Sequence, residues 1–268
     1  MCVEHLNLPH ELFDYTRQVI KADNLTKTFD RVIAVQNLSF SVAAGEVYGL
    51  LGPNGAGKTT TLRMLATLIA PDSGAATVNG LDVAQEPEQV RRSIGVVNGG
   101  MGLYDRLSGL EVLHYFGQLY DMPKKAIAAR IEELDGLLEL GDTLSRRTGE
   151  FSTGMRQKLV IARAVLHDPP VIFFDEATNG LDVMARRAVL DFVKAYPSKS
   201  RAVIYSTHVM SEVEELCDRA GIIFGGRLVA EDSVSDLIRQ TGGRNLEHAF
   251  FKLVESSDVR DSSQEVIA

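Results

Sequence analysis

Apolar and polar positions alternate with different periods along this chain, and the change of period divides it. From Lys21 to Ala43, short segments alternate polar and apolar residues: Leu25-Thr26-Lys27-Thr28-Phe29, then Val32-Ile33-Ala34-Val35, then Leu38-Ser39-Phe40-Ser41-Val42. A period near two marks half-buried strands, so antiparallel strands are expected here. Ala75–Val83, with Gly74 and Gly80 as breakers, reads as another strand. The middle of the chain carries short, wholly apolar runs instead: Val47–Leu51, Ile94–Val97, Val171–Phe174, Val203–Tyr205 and Ile222–Phe224. Helical stretches separate most of them, the pattern of parallel strands buried on both faces and joined by crossovers. Between the second and third runs the periodicity is helical over too long a stretch for one crossover. An inserted helical subdomain is therefore expected at about residues 100–165. Gly225-Gly226 suggests a hairpin near the end of the core. Residues 231–254 read as two short helices and 255–268 as a polar, frayed tail. Residues 1–20 read as an extension with a short helix from about Leu12 to Ile20.

Composition narrows the picture. Of 268 residues, 45% are hydrophobic and 24% charged, ordinary values for a globular domain. The formal net charge of −8 argues against bulk binding to nucleic acid or anionic lipid, so no nucleic-acid partner is expected. Cys2 and Cys217 supply neither a disulfide framework nor a cysteine-based zinc site. No apolar run approaches the roughly 18 to 20 residues that span a bilayer. The first sixteen residues hold no Lys or Arg and carry Glu4, Glu11 and Asp14, unlike a secretory signal. A cytoplasmic chain is expected, and any membrane role must come through a partner.

The chemistry begins at Gly52-Pro53-Asn54-Gly55-Ala56-Gly57-Lys58-Thr59, which follows the apolar run Val47–Leu51 and opens a helix with Leu62, Leu65, Ala66 and Ile69 on its apolar side. This is the G-x-x-x-x-G-K-[ST] pattern in its strand–loop–helix context. Glycines let backbone N–H groups converge on phosphate oxygens, and the helix N-terminus adds positive potential. Lys58 can reach the β- and γ-phosphates, and Thr59 can offer its hydroxyl to Mg²⁺. The expected fold class is therefore α/β: a P-loop NTPase core with a mainly parallel sheet, an N-terminal antiparallel β-subdomain and the inserted helical subdomain.

Three further segments join this loop. Val171–Phe174 runs into Asp175-Glu176, two carboxylates where open α/β sheets place their ligands. Asp175 can hold Mg²⁺ through water, and Glu176 can polarise an attacking water. His208 ends another apolar run that feeds the same sheet edge, within reach of a γ-phosphate. After it, Ser211 and Glu214 read as a capping box that starts a helix. Ser152, in Phe151-Ser152-Thr153-Gly154-Met155-Arg156-Gln157-Lys158, can cap a helix whose N-terminus is a second anion site.

Together these segments resemble the ATP-binding subunit of ABC transporters over roughly residues 21–230. Residues 151–158 resemble the family's signature loop (Leu-Ser-Gly-Gly-Gln), with Ser152 and Gly154 kept, and Asn179-Gly180-Leu181-Asp182 resembles its D-loop. The resemblance implies that Phe29 stacks on adenine and that residues 52–60 hold ATP. Lys58, Thr59 and Thr60 would hold phosphates and Mg²⁺. Asp175 would be the Mg²⁺-side carboxylate, Glu176 the catalytic base and His208 the switch histidine. Ser152 and Gly154 would contact the γ-phosphate of ATP on a second ATP-binding subunit, expected to be another copy of this chain. Asp182 would cross the dimer interface. The implied partner is a separate transmembrane permease, with the subunit at the cytoplasmic face of the cell membrane. Gly102–Ser108, the Phe-Ser-x-Gly-Met-Arg-Gln-Lys form of the signature and the segment 242–250 are similar to exporter subunits, among them sodium-export and multidrug-export ATPases.

Two positions depart from the family. Gly99, preceded by Asn98, stands where the family usually has a Gln, and it can neither ligate Mg²⁺ nor contact a permease through a side chain. Ala177 stands where Pro usually follows the Asp-Glu pair, a change of backbone stiffness alone. A soluble ABC-type switch acting on a protein or ribonucleoprotein is the alternative. A GTPase or kinase would leave the signature segment and His208 without a role, and the chain has no Asn-Lys-x-Asp motif.

Overall fold

The computed structural model describes residues 18–265, with side chains described to Ser256. The long strands β1 (Gln18–Phe29) and β2 (Val32–Ala43) pair antiparallel. Alternation buries Leu38, Phe40 and Val42 on one face of β2 and leaves Ser39 exposed, as the period of two requires. β1 starts earlier than the sequence suggested. Residues 18–20 are strand, not the end of a helix from Leu12, because Ile20 pairs with both Val42 and Val78; residues 12–17 lie outside the described residues.

The strand β3 (Val47–Leu51) leads into α1 (Lys58–Leu65). The stretch expected as one strand at Ala75–Val83 is two, β4 (Ser73–Val78) and β5 (Leu81–Asp82), because Asn79 and Gly80 turn the chain between them. The antiparallel sheet has the order β2-β1-β4-β5.

After α2 (Pro87–Arg92) comes β6 (Ile94–Asn98). The helical stretch holds α3 (Gly109–Leu119), α4 (Lys124–Leu138) and α5 (Thr153–Val165), with two short 3-10 turns between the last two. The rest is β7 (Val171–Asp175), α6 (Val183–Ala195), β8 (Ala202–Thr207), α7 (Met210–Leu216), β9 (Arg219–Phe224) and β10 (Arg227–Ser233), then α8 (Val234–Thr241) and α9 (Leu246–Glu265). Residues 231–233 thus belong to β10, not to a helix. The backbone of α9 continues to Glu265 where a frayed tail was expected, since no Gly or Pro interrupts it.

The second sheet has six strands in the order β10-β9-β3-β8-β7-β6. All are parallel except the edge strand β10, which pairs antiparallel with β9 through the Gly225-Gly226 hairpin. Successive side chains of its strands serve two cores. Tyr48, Leu50, Phe173 and Ile204 face the antiparallel sheet and α1. Val47, Leu51, Ile172, Phe174 and Val203 pack under α5, α6, α7 and α9. A strand buried on both faces reads as an unbroken apolar run, which is why these five were visible in the sequence.

Candidate functional site

The C-terminal ends of β3, β7 and β8 lie side by side, with Asp175 in register with Ser206 and Leu51 with Thr207. The loop between β3 and α1 turns at Gly57, whose φ is +109° and whose missing side chain leaves room for the Ala34 carbonyl; a β-carbon there would lie 2.5 Å from it. Gly57 gives α1 no side-chain cap, and no acidic residue stands in the first turn. The helix therefore presents N–H groups and positive potential with nothing of its own to answer them, which is what a phosphate requires. Asn54 through Thr60, with Ala34 and Glu176, line a cleft of about 140 Å³ there.

Lys58 is nearly buried, its Nζ donating to the carbonyls of Gly52 (2.7 Å) and Pro53 (3.1 Å). The same ammonium lies 3.2 Å from Glu176 Oε1, an ion pair without hydrogen-bond geometry, so that oxygen has no hydrogen-bond donor. The other oxygen, Oε2, is held by His208 Nδ1 (2.7 Å) and by Asn179 Nδ2 (3.1 Å). Glu176 itself has a φ of +50°, a left-handed backbone that costs a non-glycine residue on the order of 1 kcal/mol or more. Its N–H donates to the Ser206 carbonyl (3.0 Å), which fixes the strained turn to β8.

Asp175 Oδ1 accepts from Thr59 Oγ1 (3.2 Å) and Ser206 Oγ (2.9 Å). A hydroxyl and a carboxylate oxygen beside a phosphate loop suit Mg²⁺, which keeps several waters and takes few protein ligands. Among the described residues no cluster of three or more His, Cys, Asp or Glu side chains would form a self-sufficient metal site. Phe29 is about half exposed at the β1–β2 turn, opposite Val32, with Lys27 Nζ 5.6 Å from its ring centroid. Ala34, which lines the cleft, follows on the same hairpin.

The remaining expected residues lie elsewhere. Ser152 caps α5, accepting from Met155 N (3.2 Å), and Asp182 caps α6, accepting from Ala185 N (2.9 Å). Both, with Gly154, line a separate cleft of about 610 Å³ that shares no residue with the phosphate cleft. Val183 and Met184 beside it are about four-fifths exposed. The capping box expected at Ser211 and Glu214 is absent. α7 begins at Met210 because Val209 N is already held by Thr207 Oγ1 (3.1 Å), and Glu214 instead accepts from Leu246 N at the start of α9.

Gly99 has a physical reason. Its N–H donates to the Asp175 carbonyl, and a β-carbon there would lie 2.7 Å from the Glu176 carbonyl oxygen, so this backbone path admits no side chain. Asn98 lines a third cleft, of about 410 Å³, with Leu68, Met101, Phe116, Tyr120 and Arg163. Sequence reasoning missed Asn179 and Ser206 as holders of the two carboxylates; their closeness to Asp175-Glu176 depends on strand register and a turn, which no local pattern displays.

The ABC transporter family model matches residues 35–179, which span the phosphate loop, the signature segment and the acidic strand. The chain belongs to the ABC transporter family, as an ATP-binding subunit. It is 43% identical to the ABC transporter ATP-binding protein NatA of Bacillus subtilis (strain 168), over 83% of this chain and 92% of that protein. It is 39% identical to the daunorubicin/doxorubicin resistance ATP-binding protein DrrA of Streptomyces peucetius, over 85% and 69%. A solved ATP-binding subunit of an ABC transporter superposes with a TM-score of 0.80 at 31% identity, over 88% of this chain and 99% of that one. A dimeric ATP-binding cassette in a post-hydrolysis state with ADP and Pi superposes with a TM-score of 0.71 at 25% identity, over 80% and 98%. This ABC subunit is an ATPase of the α/β P-loop class.

Proposed function

We propose that this ATPase powers export through a separate transmembrane permease, working at the cytoplasmic face of the membrane as a head-to-tail pair of copies. The observation that carries the pairing is the separation of the two clefts. Lys58, Thr59 and Glu176 line or flank one, and Ser152, Gly154 and Asp182 line the other. A second copy turned head to tail brings one chain's signature cleft onto the other's phosphate cleft, so that two ATP molecules are each held by both chains.

Within each site, the loop N–H groups and Lys58 bind the phosphates, and Thr60 extends that contact. Phe29 stacks on the adenine. Thr59 and Asp175 hold Mg²⁺, which when bound draws charge from the phosphate oxygens. Water attacks the γ-phosphorus in line, Glu176 takes the proton through the oxygen that Lys58 faces, and the bond to ADP breaks. His208 and Asn179 fix the opposite oxygen so that the free one points inward. Closure strengthens these contacts and hydrolysis removes them, so ATP favours the paired state.

The permease engages the third cleft, beside β6, α3 and α5. Leu68 in its lining is exposed, as are Tyr115 and Leu119, the sequence neighbours of the lining residues Phe116 and Tyr120; exposed apolar side chains of this kind mark protein contacts. No helix among the described residues is long and apolar enough to cross a membrane. The cargo is an ion such as sodium, a drug or another small molecule; the resistance named for DrrA favours a drug-like class. The relatives are transporter subunits, which favours this reading over a soluble switch.

The test is Glu176→Gln. We expect ATP binding to persist while turnover falls on the order of 10²-fold or more, the usual contribution of a general base. A near wild-type ATPase rate would remove Glu176 from that role. Capture of a multi-span protein with the tagged chain from detergent-solubilised membranes tests the permease.

A further inference from the structure

The turn that carries His208 is held by a buried charge that the reaction does not use. Glu212 on α7 is 1% exposed. Its Oε2 accepts from Tyr205 Oη (2.8 Å) and Thr207 Oγ1 (3.1 Å), and its Oε1 from Arg186 Nε (2.8 Å). A carboxylate taken out of water must be answered in this way, but the choice of partners is specific. Thr207 is the residue before His208; its Oγ1 also accepts from Val209 N, and its carbonyl accepts from Gly52 N of the phosphate loop (3.4 Å). Tyr205 Oη reaches Thr178 Oγ1 (3.4 Å), in the loop between Glu176 and Asp182. Arg186 stands one turn beyond Asp182 on α6, and its N–H donates to the Asp182 carbonyl (2.9 Å). One buried carboxylate therefore clamps the turn bearing His208 to the helix bearing Asp182.

In the paired reading those two residues serve different ATP molecules: His208 the one on its own phosphate loop, Asp182 the one across the interface. We infer that Glu212, through Arg186, is a positioning residue that couples the two ATP sites, turning a movement of the His208 turn at one site into a movement of α6 and Asp182 at the other. The inference rests on the paired reading.

The test measures steady-state ATPase rates of the full chain over a range of ATP concentrations, with melting temperatures alongside. The Arg186 side chain is 41% exposed, so Arg186→Met is expected to fold. We expect the wild type to be cooperative in ATP. In Arg186→Met the Hill coefficient should drop to about 1. Its kcat should fall about tenfold, the scale of one lost charge-assisted hydrogen bond, with half-saturating ATP within about twofold of wild type. Arg186→Lys should restore part of both, and Glu212→Gln should follow Arg186→Met. A structural brace alone would lower the melting temperature and leave kcat and cooperativity intact well below it. Wild-type cooperativity in Arg186→Met, or a Hill coefficient of about 1 in the wild type, overturns the inference. ATP-dependent dimerisation of Glu176→Gln, followed by light scattering, tests the pairing separately. No dimer removes the pairing and the coupling together. A dimer with unchanged cooperativity in Arg186→Met removes the coupling alone.

Discussion

The phosphate cleft and the signature cleft of this ATPase are built on opposite terms. In the first, the charged side chains answer others from the same chain: Lys58 to Glu176, Glu176 to His208 and Asn179, Asp175 to Thr59 and Ser206. In the second, Ser152 and Asp182 give their oxygens to the first turns of their own helices, and the surface beside them is Val183 and Met184, open to solvent. The first is a pre-organised polar network, costly to disturb and ready for a charged ligand. The second leaves apolar residues open to solvent, the kind of exposure that marks a contact surface.

The contrast is most sharply tested at Lys58. Lys58→Ala removes the cation that ties the two strand ends together, and ATPase turnover should fall on the order of 10²-fold, the scale of lost charge-assisted phosphate contacts. Nucleotide binding measured by fluorescence should weaken with it. An unchanged affinity would mean that backbone N–H groups alone hold the phosphates.

Acid offers a blow that lands in neither cleft. His167 stacks on Tyr120 at a centroid distance of 3.7 Å, its Nε2 meets the Ile94 carbonyl, and its buried Nδ1 has no partner. Burial pushes its pKa down from 6.5 to about 4, so the fold holds it neutral. The unfolded chain takes up its proton first as pH falls. Stability should therefore drop below about pH 6.5 and the loss should be complete below about pH 4, reaching roughly 3 kcal/mol. Chemical denaturation across this range should show a shallower slope in His167→Gln. An identical slope would assign acid lability to other groups.

At the signature cleft the effects should be smaller and depend on assembly. Met184→Asp puts a charge on the apolar surface, and ATP-driven dimerisation should weaken about tenfold while nucleotide affinity of the single chain stays unchanged. A loss of nucleotide affinity would break the distinction between the clefts. Asp182→Ala should lower stability by about 1 kcal/mol through the lost cap of α6, and Asp182→Asn should recover most of it. If Asp182→Asn keeps the fold yet loses turnover, its charge acts across the interface and not only as a cap.

The same contrast explains how much was legible before the structure. The five buried parallel strands stood out because burial on both faces makes them unbroken apolar runs. The phosphate loop stood out because its chemistry is contiguous, from Gly52 to Thr60. The cap at Ser152 is local too, and read correctly as a cap. What stayed hidden depends on distant parts of the chain meeting. The box expected at Ser211 and Glu214 is absent while Glu214 holds Leu246 N at the start of α9. β1 extended back to Gln18 because β2 and β4 offered partners. Gly99 looked like a missing side chain, and its reason is the carbonyl of Glu176 on the neighbouring strand turn. Glu212 carries no local mark of its role, although it is among the most buried charges of the fold.

The separation of the two clefts also bears on how such a chain behaves when it is made in excess. In the paired reading an unassembled copy carries the base and the phosphate loop but lacks the second wall of its site. It can hold ATP without hydrolysing it rapidly. Surplus subunit would thus be a passive nucleotide binder, and the rate of ATP consumption in the cell would follow the number of completed pairs, not the number of chains synthesised.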